Sequence, residues 1–199
     1  MNLSKLIIVC LSDLYRYQKN TSVKSFLLNF FFNPGFKCSV YYRVCRFAHK
    51  IYSLNDSIFW RIVFFIFSFF HKHNSIKYGI EIPYQTDIGK GFHISHFGSI
   101  IIGKDVKIGN NCNVSQGVTI GASQRGSCKG SPIILDNVYI GPGAKIFGSI
   151  LIGNNVAIGA NCVVTKSIEN NAVVVGVPGR VISYKGSSGY VNNVDYEDL

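Results

Sequence analysis

The chain has 199 residues, a length that accommodates one domain with an appendage and a sizeable buried core. Its formal net charge is +10, and most of the excess lies in residues 1–75, where ten Lys and Arg face only Asp13 and Asp56. The six cysteines form no C-x-x-C pair and no cluster with His, which argues against a zinc site and predicts free thiols.

Residues 1–75 are predicted to form an N-terminal helical region of three or four helices. The tripeptide Asn33-Pro34-Gly35 is a turn signal between helices expected at residues 23–32 and 39–52. The tripeptide Asn55-Asp56-Ser57 then offers an N-cap to the helix that follows. Such a region also caps the first turn of a repeat structure, which otherwise ends in an open layer.

The helix after this N-cap, residues 58–70, is strongly apolar, but its thirteen residues include Arg61 and are too few to span a bilayer. We expect it either to pack within the protein or to lie in the plane of a membrane, where the basic front end would meet an anionic surface. Residues 6–11 are too short an apolar run for a signal peptide and lack a cleavage site. The expected location is therefore the cytoplasm, with peripheral contact to the inner face of the membrane left open.

An aliphatic residue recurs at almost every sixth position from Ile88 to Val164. A helix would spread this pattern around its whole surface, and each glycine in the repeat would cost it about 1 kcal/mol. Hexapeptide periodicity instead predicts a parallel β-helix in which three units close one triangular coil, so that Ile140 and Ile158 stack on each other. Glycines that follow the aliphatic residues are expected at the corners, where they would supply unusual backbone angles; they are Gly89, Gly103, Gly109, Gly121, Gly141, Gly153 and Gly159.

The repeat fails at two places, which are the first candidates for chemistry because a purely structural repeat needs no interruption. Between Ile94 and Ile102 the spacing is eight residues, so that residues 95–99 form a bulge carrying His96. Between Ile120 and Ile134 the spacing is fourteen, and residues 122–131 must leave the prism as a loop.

His96 on its bulge suits a general base, because an imidazole accepts a proton from a hydroxyl near neutral pH. Glu81 lies fifteen residues earlier, about one coil, and is expected beneath His96, where its carboxylate would orient the ring. From spacing alone, an ordinary surface histidine on a bulge is the alternative interpretation of His96. His93 is a weaker candidate for contact with the substrate.

The loop of residues 122–131 is rich in Gly and Ser and carries Arg125 and Lys129. A loop of this kind folds over an extended anionic ligand with backbone amides and a flexible cation. It lacks the G-x-x-x-x-G-K-[ST] pattern and is therefore no nucleotide P-loop. Arg180 and Lys185 near the last coil add positive charge for a phosphate.

Four stretches of the sequence carry a resemblance to a known family. The first is Ile80-Glu81-Ile82-Pro83 leading into Ile88-Gly89-Lys90-Gly91, and the second is His96 on its bulge. The third is Gln116-Gly117-Val118-Thr119-Ile120-Gly121, and the last is Gly176-Val177-Pro178. Together they resemble the hexapeptide-repeat acyltransferases, specifically the serine acetyltransferase branch and its relatives that modify surface polysaccharides. The resemblance implies a mainly β fold, a left-handed parallel β-helix over residues 76–185, after the helical region 1–75. Residues 186–199 are small, polar and acidic and are expected to form a flexible tail.

The resemblance also implies acetyl-CoA as donor, no metal, no nucleic acid partner, and a homotrimer with the pantetheine arm between two prisms. By motif position His96 is the catalytic base, and Glu81 is its acidic partner where the family has aspartate. The same matching assigns contacts with the donor to Ala122, Ser123, Pro142, Ala160, Arg180 and Lys185.

The acceptor positions depart from the family pattern. Serine acetyltransferases have an acid directly before the catalytic His and an Arg-His pair before the proline that rejoins the prism. Here the acceptor-binding positions are Ser95, Gly130 and Ser131, so the charged groups that hold an amino acid are missing. Losing such partners weakens acceptor binding by several kcal/mol, on the order of two lost charged hydrogen bonds.

We therefore expect an acetyl-CoA-dependent O-acetyltransferase that modifies a sugar hydroxyl in surface polysaccharide biosynthesis. Two alternatives stay open. The first is a serine O-acetyltransferase of cysteine biosynthesis with a rearranged pocket. The second is a β-helix scaffold without enzymatic activity that binds a partner or a membrane through its basic front end.

Overall fold

The computed structural model describes residues 3–55 and 57–196. Four helices precede fifteen short strands. The helices are α1 (Leu3–Gln18), α2 (Val23–Phe32), α3 (Pro34–Asn55) and α4 (Ile58–Tyr78). Four helices agree with the three or four that were predicted, and α2 has the predicted bounds. Helix α3 begins earlier and ends later than expected, and α4 continues further.

The junction between α2 and α3 is one residue long. Asn33 ends α2 with an extended backbone, and its side-chain oxygen accepts a hydrogen bond from the backbone N–H of Phe36 at 3.2 Å. Pro34 then occupies the first position of α3, where its missing N–H and fixed φ cost nothing. Ser57 precedes α4 without a capping side-chain hydrogen bond, and Asp56 of the predicted cap lies outside the described residues.

The strands form three sheets, and each strand is two to four residues long. Within the prism all neighbouring strands are parallel, and only the last strand pairs antiparallel, at the end of sheet C. Sheet A contains β1 (Ile80–Glu81), β4 (Ile100–Ile102), β7 (Thr119–Gly121), β10 (Lys145–Phe147) and β13 (Val163–Val164). Sheet B contains β2 (Asp87–Ile88), β5 (Lys107–Ile108), β8 (Ile133–Ile134) and β11 (Leu151–Ile152). Sheet C contains β3 (His93–Ile94), β6 (Asn113–Val114), β9 (Tyr139–Ile140), β12 (Ala157–Ile158), β14 (Val173–Val175) and β15 (Arg180–Ser183).

The aliphatic residue of each hexad points into the prism and stacks on its equivalent in the next coil. In sheet C the paired column runs through Ile94, Val114, Ile140, Ile158 and Val174, all fully buried. Burying each such side chain stabilises the fold by about 1.5–3 kcal/mol. The parallel β-helix and the predicted contact between Ile140 and Ile158 are confirmed.

The glycines of the repeat do not have the role expected from the sequence. None of the seven that follow an aliphatic residue has a positive φ. Five of them, Gly89, Gly109, Gly141, Gly153 and Gly159, leave no room for a side chain because the next coil approaches closely: a Cβ at Gly141 would lie 2.8 Å from the carbonyl oxygen of Ile158. Gly103 and Gly121 have no such contact, since their nearest atoms would lie at 3.5 and 3.4 Å. At the corner between sheets B and C the left-handed conformation belongs to Gly91 in the first coil and to asparagines in the later coils. The asparagine side-chain amides hydrogen bond in a ladder at 3.0–3.1 Å; they are Asn111, Asn137, Asn155 and Asn171.

A buried polar network joins the helices to the first coil. Asp13 of α1 accepts hydrogen bonds from Ser39 at 2.6 Å, from the guanidinium of Arg43 at 3.0 and 3.1 Å, and from the backbone N–H of Phe92 at 2.8 Å. Arg43 also donates to the carbonyl oxygen of Ile88 at 2.6 Å. The helical region is therefore fixed to the coil that carries β3 and, two residues later, His96.

The segment after Lys185 differs from the expected flexible tail over its described part, residues 186–196. Ser187 is buried and donates a hydrogen bond to the carbonyl oxygen of Asn137 at 2.6 Å. Arg16 of α1 donates to the carbonyl oxygen of Asn192 at 2.7 Å, and Tyr196 is buried against α1. Backbone groups of the prism and of α1 thus provide hydrogen-bond partners to this small, polar segment.

Candidate active site

The corners that lead from sheet C to sheet A stack into one continuous edge, which we call the C–A edge. Backbone hydrogen bonds of 2.8–2.9 Å connect successive corners: Gly117 N–H to Gly98, Gly143 N–H to Gln116, and Asn161 N–H to Pro142. The predicted residues His96, Pro142 and Ala160 therefore lie along a single line on the prism surface.

His96 lies at the foot of the C–A edge, on the predicted bulge before β4. Gly98 and Ser99 both have positive φ, 109° and 53°, and this turn returns the chain to the regular coil. A Cβ at Gly98 would meet no atom within 4 Å, so the bulge projects away from the prism. The side chain of His96 is exposed, as access to an acceptor hydroxyl requires.

His93, the weaker candidate, is enclosed rather than presented to a substrate. Its ring packs on Tyr17 of α1 at 4.3 Å, and its Nδ1 lies 3.4 Å from the hydroxyl of Ser95. Burial, together with the nearby Arg16 and His96, lowers the pKa of His93 to about 4. His93 is therefore neutral at pH 7 and supports the strand that leads to His96.

Glu81 lies on the outer side of sheet A, one coil below Ile101 rather than below His96. It is exposed, and its backbone pairs with Ile101 in the register of β1 and β4. Among the described residues, no hydrogen bond or ion pair joins the Glu81 carboxylate to His96. The register thus places the Glu81 backbone against Ile101 of β4, five residues after His96 in the chain. The orienting role of Glu81 stays a prediction.

The loop of residues 122–131 leaves the opposite edge of sheet A, where the chain passes from β7 to β8. Its neck is closed by two backbone hydrogen bonds between Ser123 and Gly130, at 2.9 and 3.0 Å. The loop is also attached to the next coil through the Ser149 N–H, which donates to the Cys128 carbonyl at 2.8 Å. The side chains of Arg125 and Lys129 are exposed, as are parts of Ala122 and Ser131.

The residues predicted to contact the donor are thus divided among different edges of the prism. Arg180 pairs with Val175 at the end of β14 nearest the C–A edge. Strand β15 then crosses sheet C in the opposite direction, so Lys185 lies beside the asparagine ladder, where the following Gly186 N–H donates to Asn171 at 2.9 Å. One chain therefore groups Arg180 with His96, Pro142 and Ala160, but not Lys185, Ala122 or Ser123.

Gln116 belongs to the C–A edge, one coil from the bulge, and had been assigned no role from the sequence. Its side-chain oxygen is buried and has no hydrogen-bond partner. An unpaired buried amide oxygen costs about 1–3 kcal/mol of stability. The motif containing Gln116 was the available signal, but burial of one amide oxygen is not readable from a sequence.

Other features of the described residues lie away from this edge. A cleft of about 770 Å³ between α1, α3 and the first coils is lined by Arg46, Lys50 and Lys90, and it contains none of the predicted site residues. Within residues 3–55 and 57–196 there is no group of three His, Cys, Asp or Glu side chains placed to hold a metal ion. All six cysteines are free thiols.

Comparison with known proteins identifies the family. Residues 131–166 match the family model described as bacterial transferase hexapeptide (six repeats). A serine acetyltransferase from Synechocystis sp. is 34% identical over 183 residues, which cover 92% of this chain and 69% of that protein. Neisseria gonorrhoeae serine acetyltransferase, solved in complex with serine, superposes with a TM-score of 0.68 at 26% identity, covering 91% of this chain and 70% of that one. A serine acetyltransferase solved in complex with CoA gives a TM-score of 0.70 at 25% identity, covering 90% of this chain and 71% of that one.

These relatives correct one expectation. They give no support to a particular resemblance to polysaccharide-associated O-acetyltransferases, an expectation that rested on the uncharged acceptor positions. The three parallel sheets with hexapeptide repeats and preceding helices fit the left-handed β-helix of these neighbours. The chain belongs to the serine acetyltransferase family of hexapeptide-repeat acyltransferases and is an acetyl-CoA-dependent O-acetyltransferase.

Proposed function

We propose that the chain transfers the acetyl group of acetyl-CoA to the hydroxyl of serine, in a homotrimer whose active sites lie between adjacent protomers. The names of its relatives and the serine bound to the Neisseria enzyme support this acceptor. The observation that carries the proposal is the C–A edge, an unbroken line from exposed His96 past Pro142 and Ala160 toward Arg180.

His96 acts as the general base in this proposal. Its imidazole takes the proton of the acceptor hydroxyl while the hydroxyl oxygen forms a bond with the thioester carbonyl carbon. Backbone N–H groups stabilise the resulting oxyanion, which collapses as the carbon–sulfur bond breaks. The imidazolium of His96 then gives its proton to the departing CoA thiolate, so that the base is regenerated. A carboxylate at Glu81 would stabilise the transient imidazolium.

The separation of the two breaks supports a site between protomers. His96 lies at one edge of sheet A and the loop of residues 122–131 at the other, so the width of a prism face divides them within one chain. When two prisms pack side by side, one chain's C–A edge meets the next chain's loop. Three such contacts close a ring, and cyclic closure is the common symmetry of homo-oligomers.

Mixing two inactive variants tests this arrangement. One variant is His96→Ala, and the other replaces residues 124–129 by two glycines, which keeps the Ser123–Gly130 neck. Co-expressed with different tags and purified as hybrids, the two variants are expected to regain acetyl-CoA-dependent thiol release, because one interface then contains intact His96 and an intact loop. Hybrids without activity, when the wild type is active, would show that the site lies within one chain.

The uncharged residues at the acceptor positions favour a second candidate, a carbohydrate hydroxyl. Ser95 is half-buried beside His93, and Gly130 and Ser131 contribute no charge to hold an ammonium or a carboxylate. Thiol release measured with L-serine, with nucleotide sugars and with oligosaccharides decides between the two, with His96→Ala as the control. A higher kcat/KM for a sugar than for L-serine would reject serine as the acceptor and leave the acetyl transfer itself intact.

A further inference from the structure

The outer side of α4 is apolar along most of its length. Six aliphatic and aromatic residues recur at intervals of one, three and four positions, which places them on one side of the helix. They are all at least half exposed, from 50% for Ile66 to 69% for Phe69; the six are Ile58, Phe59, Ile62, Phe65, Ile66 and Phe69. The opposite side of α4 packs on α3 through residues such as buried Phe64. The helix therefore has two apolar sides, and only one is covered.

This side of α4 continues onto α2 through an unbroken series of ring contacts. Phe69 contacts Phe70 at 5.6 Å, Phe70 stacks on Tyr41 of α3 at 6.1 Å, and Tyr41 contacts Phe30 of α2 at 5.6 Å. Phe31, next to Phe30, is 63% exposed. We call the exposed apolar side chains of α2 and α4 the aromatic surface. A contiguous surface of this extent marks an interaction site, because soluble monomers rarely expose one.

Among residues 3–55 and 57–78, the exposed charges around the aromatic surface are all positive. Arg61 and Lys72 are exposed along one margin of the apolar side of α4, and Lys24 is exposed at the start of α2. Asp13 is the one acidic residue of the described helices, and it is buried against Arg43. Across residues 3–55 and 57–78 the helical surface therefore presents cations and apolar groups without a single exposed carboxylate.

This combination matches an anionic lipid surface. Aromatic and aliphatic side chains enter the boundary between headgroups and acyl chains, while Lys and Arg remain among the phosphates. No helix in the described residues has the length and apolarity to cross a bilayer, so α4 would lie in the membrane plane. We propose that the aromatic surface docks this protein on an anionic membrane.

A second copy of the chain fits the aromatic surface less well. Two copies meeting through it would bring cationic margins together, and residues 3–55 and 57–78 of neither copy offer an exposed acid to pair with them. Juxtaposed like charges oppose such a contact. The helices also pack on the first coil, through strands β1 and β3, so the aromatic surface lies outside the prism that is expected to form the trimer.

Vesicle sedimentation tests the proposal with the full chain. Wild-type protein is expected to sediment with vesicles of equimolar phosphatidylcholine and phosphatidylglycerol, and to bind pure phosphatidylcholine at least tenfold more weakly, because each cation near an anionic surface contributes about 1 kcal/mol. Phe65→Ser combined with Phe69→Ser should abolish sedimentation. Arg61→Gln combined with Lys72→Gln should remove the preference for anionic vesicles.

The controls separate lipid binding from misfolding and self-association. Ile182→Ser is the matched control, because Ile182 is 63% exposed on β15 at the far end of the prism, and this variant should sediment like the wild type. Light scattering should give one mass for the wild type and the double phenylalanine variant. Absence of wild-type binding, equal binding by the phenylalanine variant, or a smaller mass for that variant would overturn the proposal, the last outcome indicating a contact between copies.

Discussion

Replacing Asp13 by Ala is expected to destabilise the protein more than any substitution on its surface. Asp13 is 1% exposed, and its two carboxylate oxygens accept four hydrogen bonds, two of them from Arg43. Burial opposes the charge of Arg43, but Asp13 outweighs this effect and raises the pKa of Arg43. Removing the carboxylate leaves a buried guanidinium without a counter-charge, for which we expect a loss of about 3–5 kcal/mol.

Urea unfolding measures this loss, with Trp60 as the reporter. Trp60 is the only tryptophan of the chain and packs on Phe47 in the helical region, so its fluorescence follows the part that Asp13 anchors. The matched variants are Arg43→Leu and the double variant. Because the two side chains form one network, the double variant should be more stable than the sum of the single losses predicts, by more than about 1 kcal/mol. A loss below about 1 kcal/mol for Asp13→Ala, or additive losses, would refute the reasoning.

Three further predictions concern the fold around the site. Folding lowers the pKa of His93 from 6.5 to about 4, so below pH 6.5 the unfolded chain binds a proton that the folded chain does not. The contribution of neutral His93 to the free energy of unfolding is therefore complete above pH 6.5 and disappears as the pH falls toward 4. This contribution is about 3 kcal/mol, and His93→Gln should flatten the decline in urea unfolding free energy over that range. Gly141→Ala should cost about 1–3 kcal/mol, whereas Gly103→Ala, whose Cβ would meet its nearest atom at 3.5 Å, should be neutral in the same assay. Tyr196→Ala should cost about 3 kcal/mol in thermal or urea unfolding and Tyr196→Phe about 1 kcal/mol, and wild-type stability in both would show that the C-terminal segment is not anchored.

The parts of the fold that depend on side-chain period were readable from the sequence. Aliphatic residues at every sixth position are all buried when each points into a prism and stacks on its equivalent in the next coil. This arrangement predicts the coils and the contact between Ile140 and Ile158. The six-residue spacing also located the two interruptions, because residues in excess of a hexad must project from the face of the prism. His96 and the loop of residues 122–131 were found in this way.

The parts that depend on contacts between distant segments were not readable. The enclosure of His93 comes from Tyr17 on α1, and the order of the C-terminal segment comes from backbone groups of the prism, which composition does not reveal. The left-handed corner conformation was assigned to the glycines that follow the aliphatic residues, yet other glycines, such as Gly117 and Gly143, and a stack of asparagines adopt it. The asparagines also gain amide hydrogen bonds from one coil to the next, which a single sequence position does not reveal. Glu81 was placed by counting residues per coil, a count that the bulge at His96 makes inexact.

The position of His96 depends on both the helices and the prism. On one side, Gly117 of the next coil donates to the Gly98 carbonyl within the bulge at 2.8 Å. On the other side, the hydroxyl of Tyr17 bonds both the N–H and the carbonyl of Ile94, at 3.1 and 3.2 Å, two residues before His96. Hydrogen bonds at both ends of this short bulge restrict its movement. Fixed placement favours catalysis, because misplacement of a catalytic group by about 1 Å lowers the rate on the order of a hundredfold. The helical region is therefore part of the framework that positions His96, the proposed base, in addition to covering the first coil.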